Sequence, residues 1–141
     1  MTALMTLVQY WTSEDFQSSL ASRAGVSVES RDVPALFLLG LKGPMRPGEL
    51  AFTLRVSAGN VSKIADRLVH GGYAARVPVA DDARASSVAL TPRGVAASTA
   101  LFDEGERLLE ALLEGWAPHE AQLFSSMLLR LVDRVSLSTP R

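Results

Sequence analysis

Apolar residues recur at intervals of three and four along most of the chain, which is the spacing of helices that bury one face. Two short runs of this kind, separated by polar residues 12–15, predict either one kinked helix or two helices at the start. A further helix begins near Asp32, with Pro34 in its first turn, and a short one opens around Pro47. The first third of the chain is therefore predicted to be helical.

The segment from Ser57 to about His70 has the clearest pattern. Ser57 is a good N-cap, and Gly71-Gly72 ends the segment. Its apolar positions form one stripe, which consists of Val61, Ile64, Ala65 and Leu68. The opposite side is polar, so the segment is predicted to be an amphipathic helix anchored by its apolar face.

After these glycines the period changes to two. Residues 73–77 and 86–90 alternate in polarity and flank a turn at 80–84, which predicts a small antiparallel hairpin. Pro78 restricts its strand to an edge or an end. Because two strands alone are marginally stable, the hairpin is expected to pack on the preceding helices.

Two helices are predicted to follow the hairpin. Thr91-Pro92 opens one that can extend to about Gly115 or Trp116, and Pro118 opens the last. The first would be roughly 36 Å long, which is more than a small domain needs for its own core. The fold class is thus mainly α with a small β-hairpin, and the apolar faces of the two helices are interpreted as a dimer seam that continues the core.

Composition narrows the possible chemistry. The chain has 141 residues, no cysteine, two histidines and a formal net charge of −1. One domain is expected, and disulfides, thiolate metal sites and cysteine nucleophiles are excluded. Because no Gly-rich phosphate loop, paired-histidine motif or nucleophile elbow occurs, neither an enzyme nor a cofactor nor a metal is expected. The apolar start has no Lys or Arg before Arg23 and is interrupted too early to span a membrane, which predicts a cytoplasmic protein.

A short helix, a tight joint and the amphipathic segment form the pattern of a helix-turn-helix. Candidate DNA contacts lie on the polar face of the segment: Ser57, Ala58, Gly59, Asn60, Ser62, Lys63 and Arg67. The small residues let the backbone approach DNA, Asn60 can pair with adenine, and Lys63 or Arg67 can reach guanine or phosphate. An ordinary solvated helix face is the alternative, and this helix alone does not decide between the two.

The hairpin favours the DNA interpretation, because a hairpin directly after a helix-turn-helix is a wing. Arg84 at its tip is suited to the negative potential of a narrow minor groove. Asp82 can orient Arg84 through a charge-assisted hydrogen bond, whereas Asp81 is interpreted as an ordinary turn residue. Residues 46–94 carry a net charge of +3 and the remainder −4, so a nearly neutral chain can present a cationic patch to phosphate.

Four motifs stand out between positions 47 and 94. They are Pro47-Gly-Glu-Leu-Ala51, Asn60-Val-Ser-Lys-Ile-Ala-Asp-Arg-Leu68, Gly72-Tyr73 followed by Arg76, and Asp82-Ala-Arg84 followed by Val88-Ala-Leu-Thr91. Together they resemble the MarR family of winged helix-turn-helix transcription regulators. The wing motif is the most specific of the four, because the spacing of the helix-turn-helix is common to many regulators.

The resemblance implies a single MarR-like domain over residues 1–141, with a DNA-binding lobe at 33–94 and dimerisation helices at 1–24 and 92–136. It implies a homodimer with two recognition helices in successive major grooves of a palindromic operator and its wings in the minor groove. Residues 57–67 then form the recognition helix, Asp82 and Arg84 the wing pair, and Arg76 the arginine that ends the first wing strand. Members commonly repress transcription and release DNA when a small lipophilic ligand binds between the lobe and the dimer helices.

The chain departs from the family pattern in two places. Ala83 stands at the wing tip where many members have arginine, and His70-Gly71-Gly72 replaces basic residues at the end of the recognition helix. Both departures reduce the positive charge that would face phosphate. A winged-helix protein-interaction module that does not bind DNA is the alternative. No ligand site is assigned. Four single aromatics on helices could line an effector pocket, but they are interpreted as core: Trp11, Phe16, Phe37 and Trp116.

Overall fold

The structure is a computed structural model that describes residues 1–79 and 82–138, with side chains described for 1–79 and 86–135. The helices are α1 (Thr2–Thr12), α2 (Glu14–Arg23), α3 (Val33–Lys42), α4 (Pro47–Leu54), α5 (Ala58–His70), α6 (Pro92–Leu112) and α7 (Pro118–Ser138). A 3₁₀ turn covers Ser30–Asp32, and the strands are β1 (Ala74–Val79) and β2 (Asp82–Leu90). The predicted fold class, mainly helical with one hairpin, is confirmed.

The first helices are two and not one, which settles an alternative left open by the sequence. The backbone of Ser13 is extended, and its hydroxyl accepts a hydrogen bond from the amide of Phe16 at 3.2 Å. Ser13 therefore ends α1 and caps α2. Ser57 caps α5 in the same way, accepting from the amide of Asn60 at 3.3 Å.

Helices α4 and α5 form the predicted helix-turn-helix. The joint requires a left-handed residue, and Arg55 supplies it with φ 54° and ψ 41° at a cost of roughly 1–2 kcal/mol. The amide of Val56 donates to the carbonyl of Ala51 at 3.1 Å, which closes the turn. The apolar stripe of α5 is buried as predicted, and α5 packs against α4, where Leu50 is fully buried.

The hairpin is anchored by a third piece of chain. Strands β1 and β2 pair antiparallel from Ala74↔Leu90 to Pro78↔Ser86, with a register shift after Pro78. Met45, between α3 and α4, bridges to Val88 through backbone hydrogen bonds of 3.0 and 2.8 Å. These bonds hold the hairpin against the lobe, as its marginal stability requires. Strand β2 is also longer than the predicted 86–90, because it already begins at Asp82.

Helix α6 buries a different face from the most apolar one. Its buried residues are Gly94, Ala97, Ser98, Leu101 and Glu104. Val95, on the apolar face that the sequence analysis interprets as a dimer seam, is 53% exposed. The helix also ends at Leu112, a few residues before the predicted limit, because Gly115 adopts a left-handed φ of 86°.

The chain divides into two compact units, residues 1–106 and 107–141. The first unit holds the core, whose largest fully buried side chains are Val33, Leu36, Leu39, Leu50, Val61, Leu68, Val88 and Leu101. In the second unit, Trp116 packs edge-on against Phe124 at a centroid distance of 5.7 Å. The predicted division into a lobe at 33–94 and dimerisation helices at 1–24 and 92–136 stays a prediction. Among the described residues no helix combines the length and hydropathy of a membrane span.

Candidate nucleic-acid interface

The first two turns of α5 expose the predicted contact residues together. All of the following are exposed to solvent: Ser57, Ala58, Gly59, Asn60, Ser62 and Lys63. The buried stripe fixes the helix from behind, so this polar surface is held by the core rather than by its own side chains. Such a rigid, small and polar surface is what approach to base edges requires.

Asn60 and Lys63 lie next to each other on this surface. They are three residues apart, which puts them one above the other about 4.5 Å along the helix axis. The backbone amide of Asn60 donates a hydrogen bond to the hydroxyl of Ser57, whereas the side chain of Asn60 is exposed. Among the side chains that the structure describes, Lys63 has no carboxylate within 4.0 Å. Its charge is therefore available to an anionic ligand.

Arg76 ties the first strand of the hairpin to α5. Its Nη2 donates to Oδ1 of Asp66 at 2.8 Å, and both side chains are largely exposed. The amide of Tyr73 donates to the carbonyl of Leu68 at 2.8 Å, just before β1 begins. One ion pair and one backbone hydrogen bond thus connect the base of the hairpin to α5. They place the hairpin beside the end of that helix.

The predicted wing-tip residues are described by their backbone alone. Asp82 and Arg84 belong to β2 by their backbone, but their side chains are outside the described residues. Asp81 lies outside the described residues altogether. The minor-groove role of Arg84 and its orientation by Asp82 remain predictions.

Arg67 occupies a different environment from the other predicted contacts. Its Nε donates to Oδ2 of Asp32 at 2.9 Å, and its Nη2 donates to Oδ1 at 2.6 Å. The side chain of Asp32 is 3% exposed. The hydrogen bond to Asp32 raises the pKa of Arg67 above its ordinary value, against the opposing effect of burial. No sequence pattern indicated this pair, because its members are 35 residues apart.

The junction between α5, the hairpin and α6 is closely packed. Thr91 caps α6 by accepting from the amide of Gly94 at 3.1 Å, and its hydroxyl donates to the carbonyl of Gly72 at 2.6 Å. The guanidinium of Arg93 lies 4.5 Å from the centroid of the Tyr73 ring. A Cβ at position 94 would lie 1.8 Å from the carbonyl oxygen of Tyr73, so glycine is needed there for packing.

Cavities lined by described residues of the first unit border α3. One of about 410 Å³ is walled mainly by apolar side chains: Pro34, Phe37, Leu38, Leu41, Leu54 and Phe102. Gln17 also lines it, and its buried Oε1 accepts no hydrogen bond from any described residue. Another, of about 270 Å³, is bordered by Gly40 and Ser98. Phe37 therefore lines one of these cavities and also packs on Phe102.

The helix-turn-helix, the hairpin that follows it and the bridge to Met45 define a winged helix-turn-helix protein. The family model described as "MarR family" matches residues 24–85, from the end of α2 into β2. The resemblance drawn from the sequence is thus confirmed over that segment. A search of curated proteins found no sequence match.

Solved structures show the same fold over nearly the whole chain. A MarR family protein from Bacillus stearothermophilus is 20% identical, with a TM-score of 0.78 over 96% of this chain and 94% of its own. Wild-type MarR from E. coli, in its apo form, is 22% identical, with a TM-score of 0.74 over 93% and 96%. FabT from Streptococcus pneumoniae, solved in complex with DNA, is 17% identical, with a TM-score of 0.72 over 98% and 94%.

Proposed function

We propose that this chain is a transcription regulator that binds double-stranded DNA as a homodimer, with α5 as the recognition helix. The observation that carries the proposal is the exposed surface formed by Asn60, Lys63 and the small residues around them on a helix whose other face is buried. A recognition helix contacts base edges through its N-terminal residues, which is where this surface lies. Arg84 would add a minor-groove contact from the wing.

The homodimer is supported by apolar surface that the chain itself leaves uncovered. On α7 the exposed apolar side chains are Leu123, Met127, Leu128, Leu131, Val132 and Val135, each more than 40% exposed. Helix α1 likewise exposes Leu4, Met5, Val8 and Tyr10. An exposed apolar face on a helix, present here on α7 and on α1 separately, is typical of an obligate interface. Two-fold symmetry would present two copies of α5 to half-sites about 10 bp apart in a palindromic operator.

Repression with release by a small lipophilic ligand is the mode of regulation that we propose. It is supported by the 410 Å³ cavity, whose volume and apolar walls suit a small organic molecule. The unpaired Oε1 of Gln17 would accept a hydrogen bond from a ligand hydroxyl. Such a regulator would act in the cytoplasm.

The experiment that tests DNA binding is a selection of bound duplexes from a random pool, followed by mobility shifts at two salt concentrations. The wild-type protein is expected to recover a palindrome and to bind it more tightly at low salt. Lys63→Ala is expected to lower the slope of log Kd against log salt by about 0.9, the effect of one phosphate contact. Arg84→Ala is expected to lower affinity most for duplexes that have an A·T-rich sequence beside the half-site.

Lys42→Ala is the charge-matched control, because Lys42 is exposed at the end of α3, away from the α5 surface in sequence. It is expected to bind like the wild type. No shift at low salt, or an Arg84→Ala protein that binds like the wild type, would favour the alternative of a protein-interaction module.

The ligand is tested with phenol as the probe. Phenol is expected to weaken DNA binding by the wild type, because it combines an apolar ring with a hydroxyl donor. Leu38→Trp should fill the cavity and abolish the effect while leaving DNA binding intact. If phenol released DNA equally from both proteins, the cavity would not be the regulatory site.

A further inference from the structure

The guanidinium of Arg67 points towards Asp32 and Glu29, and not outwards from α5. Two of its nitrogens bind the two carboxylate oxygens of Asp32, and Oε2 of Glu29 lies 3.4 Å from Nε. A fork of this kind fixes both the position and the rotation of an arginine, because the guanidinium and the carboxylate are planar groups. One third of the Arg67 side chain remains exposed.

Asp32 needs this partner. It ends the 3₁₀ turn and precedes α3, and its side chain makes no capping hydrogen bond to that helix. Its carboxylate is almost fully buried, and among the residues that the structure describes Arg67 provides its hydrogen bonds and its ion pair. Because an unpaired buried carboxylate is strongly unfavourable, moving Arg67 towards DNA would break an interaction that the lobe requires.

Arg67 also lies further along α5 than the contact residues predicted on its first two turns. It lies seven residues after Asn60, about 10 Å further along the helix axis and in its last turn. At about 100° per residue it lies on the same side of α5 as Asn60 and Lys63, so its bond to Asp32 and its distance along the helix axis set it apart from them. The 3₁₀ turn that carries Asp32 contacts α2, α3 and α5. The pair therefore connects the end of α5 to the point where three helices meet.

We propose that Arg67 is a positioning residue and not a DNA contact. Bound to Asp32, it fixes the direction in which α5 leaves the lobe, so that Asn60 and Lys63 face the duplex. This inference rests on the proposed function and changes one member of the predicted contact set. It also makes Asp32, a buried residue outside the helix-turn-helix, a determinant of DNA affinity.

The replacement Asp32→Asn separates the two roles, because they predict opposite signs. It removes a negative charge from a DNA-binding lobe and releases Arg67. If Arg67 contacted phosphate or guanine, Asp32→Asn would leave affinity unchanged or increase it. If Arg67 positions α5, the same replacement decreases affinity, although the change in net charge favours binding.

The experiment measures Kd against salt concentration for a duplex of about 30 bp that carries the palindrome selected by the wild type. Arg67→Gln, Asp32→Asn and the double variant are compared. Each single variant is expected to bind about tenfold more weakly, the double variant no more weakly than the weaker single one, and all three with the wild-type salt slope. Lys63→Ala is the control that lowers the slope by about 0.9.

A slope lowered by about 0.9 in Arg67→Gln, or an Asp32→Asn protein that binds at least as tightly as the wild type, would overturn the inference. Failure of the wild type to bind any duplex at low salt would refute the proposed function, and this role with it. All variants are compared at a temperature where their far-ultraviolet circular dichroism equals that of the wild type.

Arg67→Lys decides the matter if the glutamine variant does not fold. Lysine keeps the charge but not the planar fork, so a phosphate contact would survive the change while the positioning contact would not. We expect Arg67→Lys to bind about tenfold more weakly with an unchanged salt slope. Wild-type affinity in a folded Arg67→Lys protein would contradict the positioning role.

Discussion

The start of α6 offers a sharp test of how the hairpin, α5 and α6 are held together. In Gly94→Ala the new Cβ would lie 1.8 Å from the carbonyl oxygen of Tyr73 and 2.9 Å from its carbonyl carbon. Ordinary contact begins above 3 Å, so the helix start would have to move by more than 1 Å. The obstacle is backbone, so no side-chain rotation removes it.

The magnitude follows from the hydrogen bonds that this movement disturbs. The Thr91 amide donates to the same Tyr73 carbonyl at 3.0 Å, and the Thr91 hydroxyl caps the Gly94 amide at 3.1 Å. Loss of the cap costs about 1 kcal/mol, and an unsatisfied buried carbonyl costs about 1–3 kcal/mol. The higher helix propensity of alanine returns about 0.5–1 kcal/mol. We expect Gly94→Ala to lower the free energy of unfolding by about 1–3 kcal/mol.

Gly105→Ala is the matched control in the same helix. A Cβ there meets nothing within 4 Å, so only the propensity difference remains and the free energy of unfolding should rise by about 0.5–1 kcal/mol. The assay is urea denaturation followed by circular dichroism at one fixed protein concentration, because a dimer's stability depends on concentration. Equal effects of the two replacements would refute the packing argument.

Three further predictions concern stability and assembly. Ser98→Ala should raise the free energy of unfolding by about 1 kcal/mol in the same assay, because the buried Ser98 hydroxyl has no hydrogen-bond partner among the described residues. A lower free energy of unfolding would show that this hydroxyl does have a hydrogen-bond partner. Ser57→Ala should lower it by about 1 kcal/mol through loss of the α5 cap, whereas Ser62→Ala on the same helix should not. Leu131→Glu should convert the proposed dimer to monomer in light scattering, and Gln122→Glu should not.

The amino-acid sequence by itself determined the elements and their order. The N-cap of α5 and its buried stripe follow from contacts three and four residues apart, and such local spacing is visible in the chain. The hairpin is likewise indicated by alternation over a few residues, and the predicted wing motif coincides with β2. The exposed surface around Asn60 and Lys63 was therefore predictable, because it is the reverse of a predictable buried face.

Only the tertiary structure decided which groups at long sequence distance meet. Arg67 belongs to the polar face by its spacing, but its partner is Asp32, and no periodic pattern connects residues 35 apart. The buried face of α6 is formed largely by small residues such as Gly94 and Ser98, which pack through close backbone approach and not through hydrophobicity. A pattern of apolar residues detects large side chains, so it marked the stripe interpreted as a dimer seam and missed the face of small residues that α6 buries within the chain.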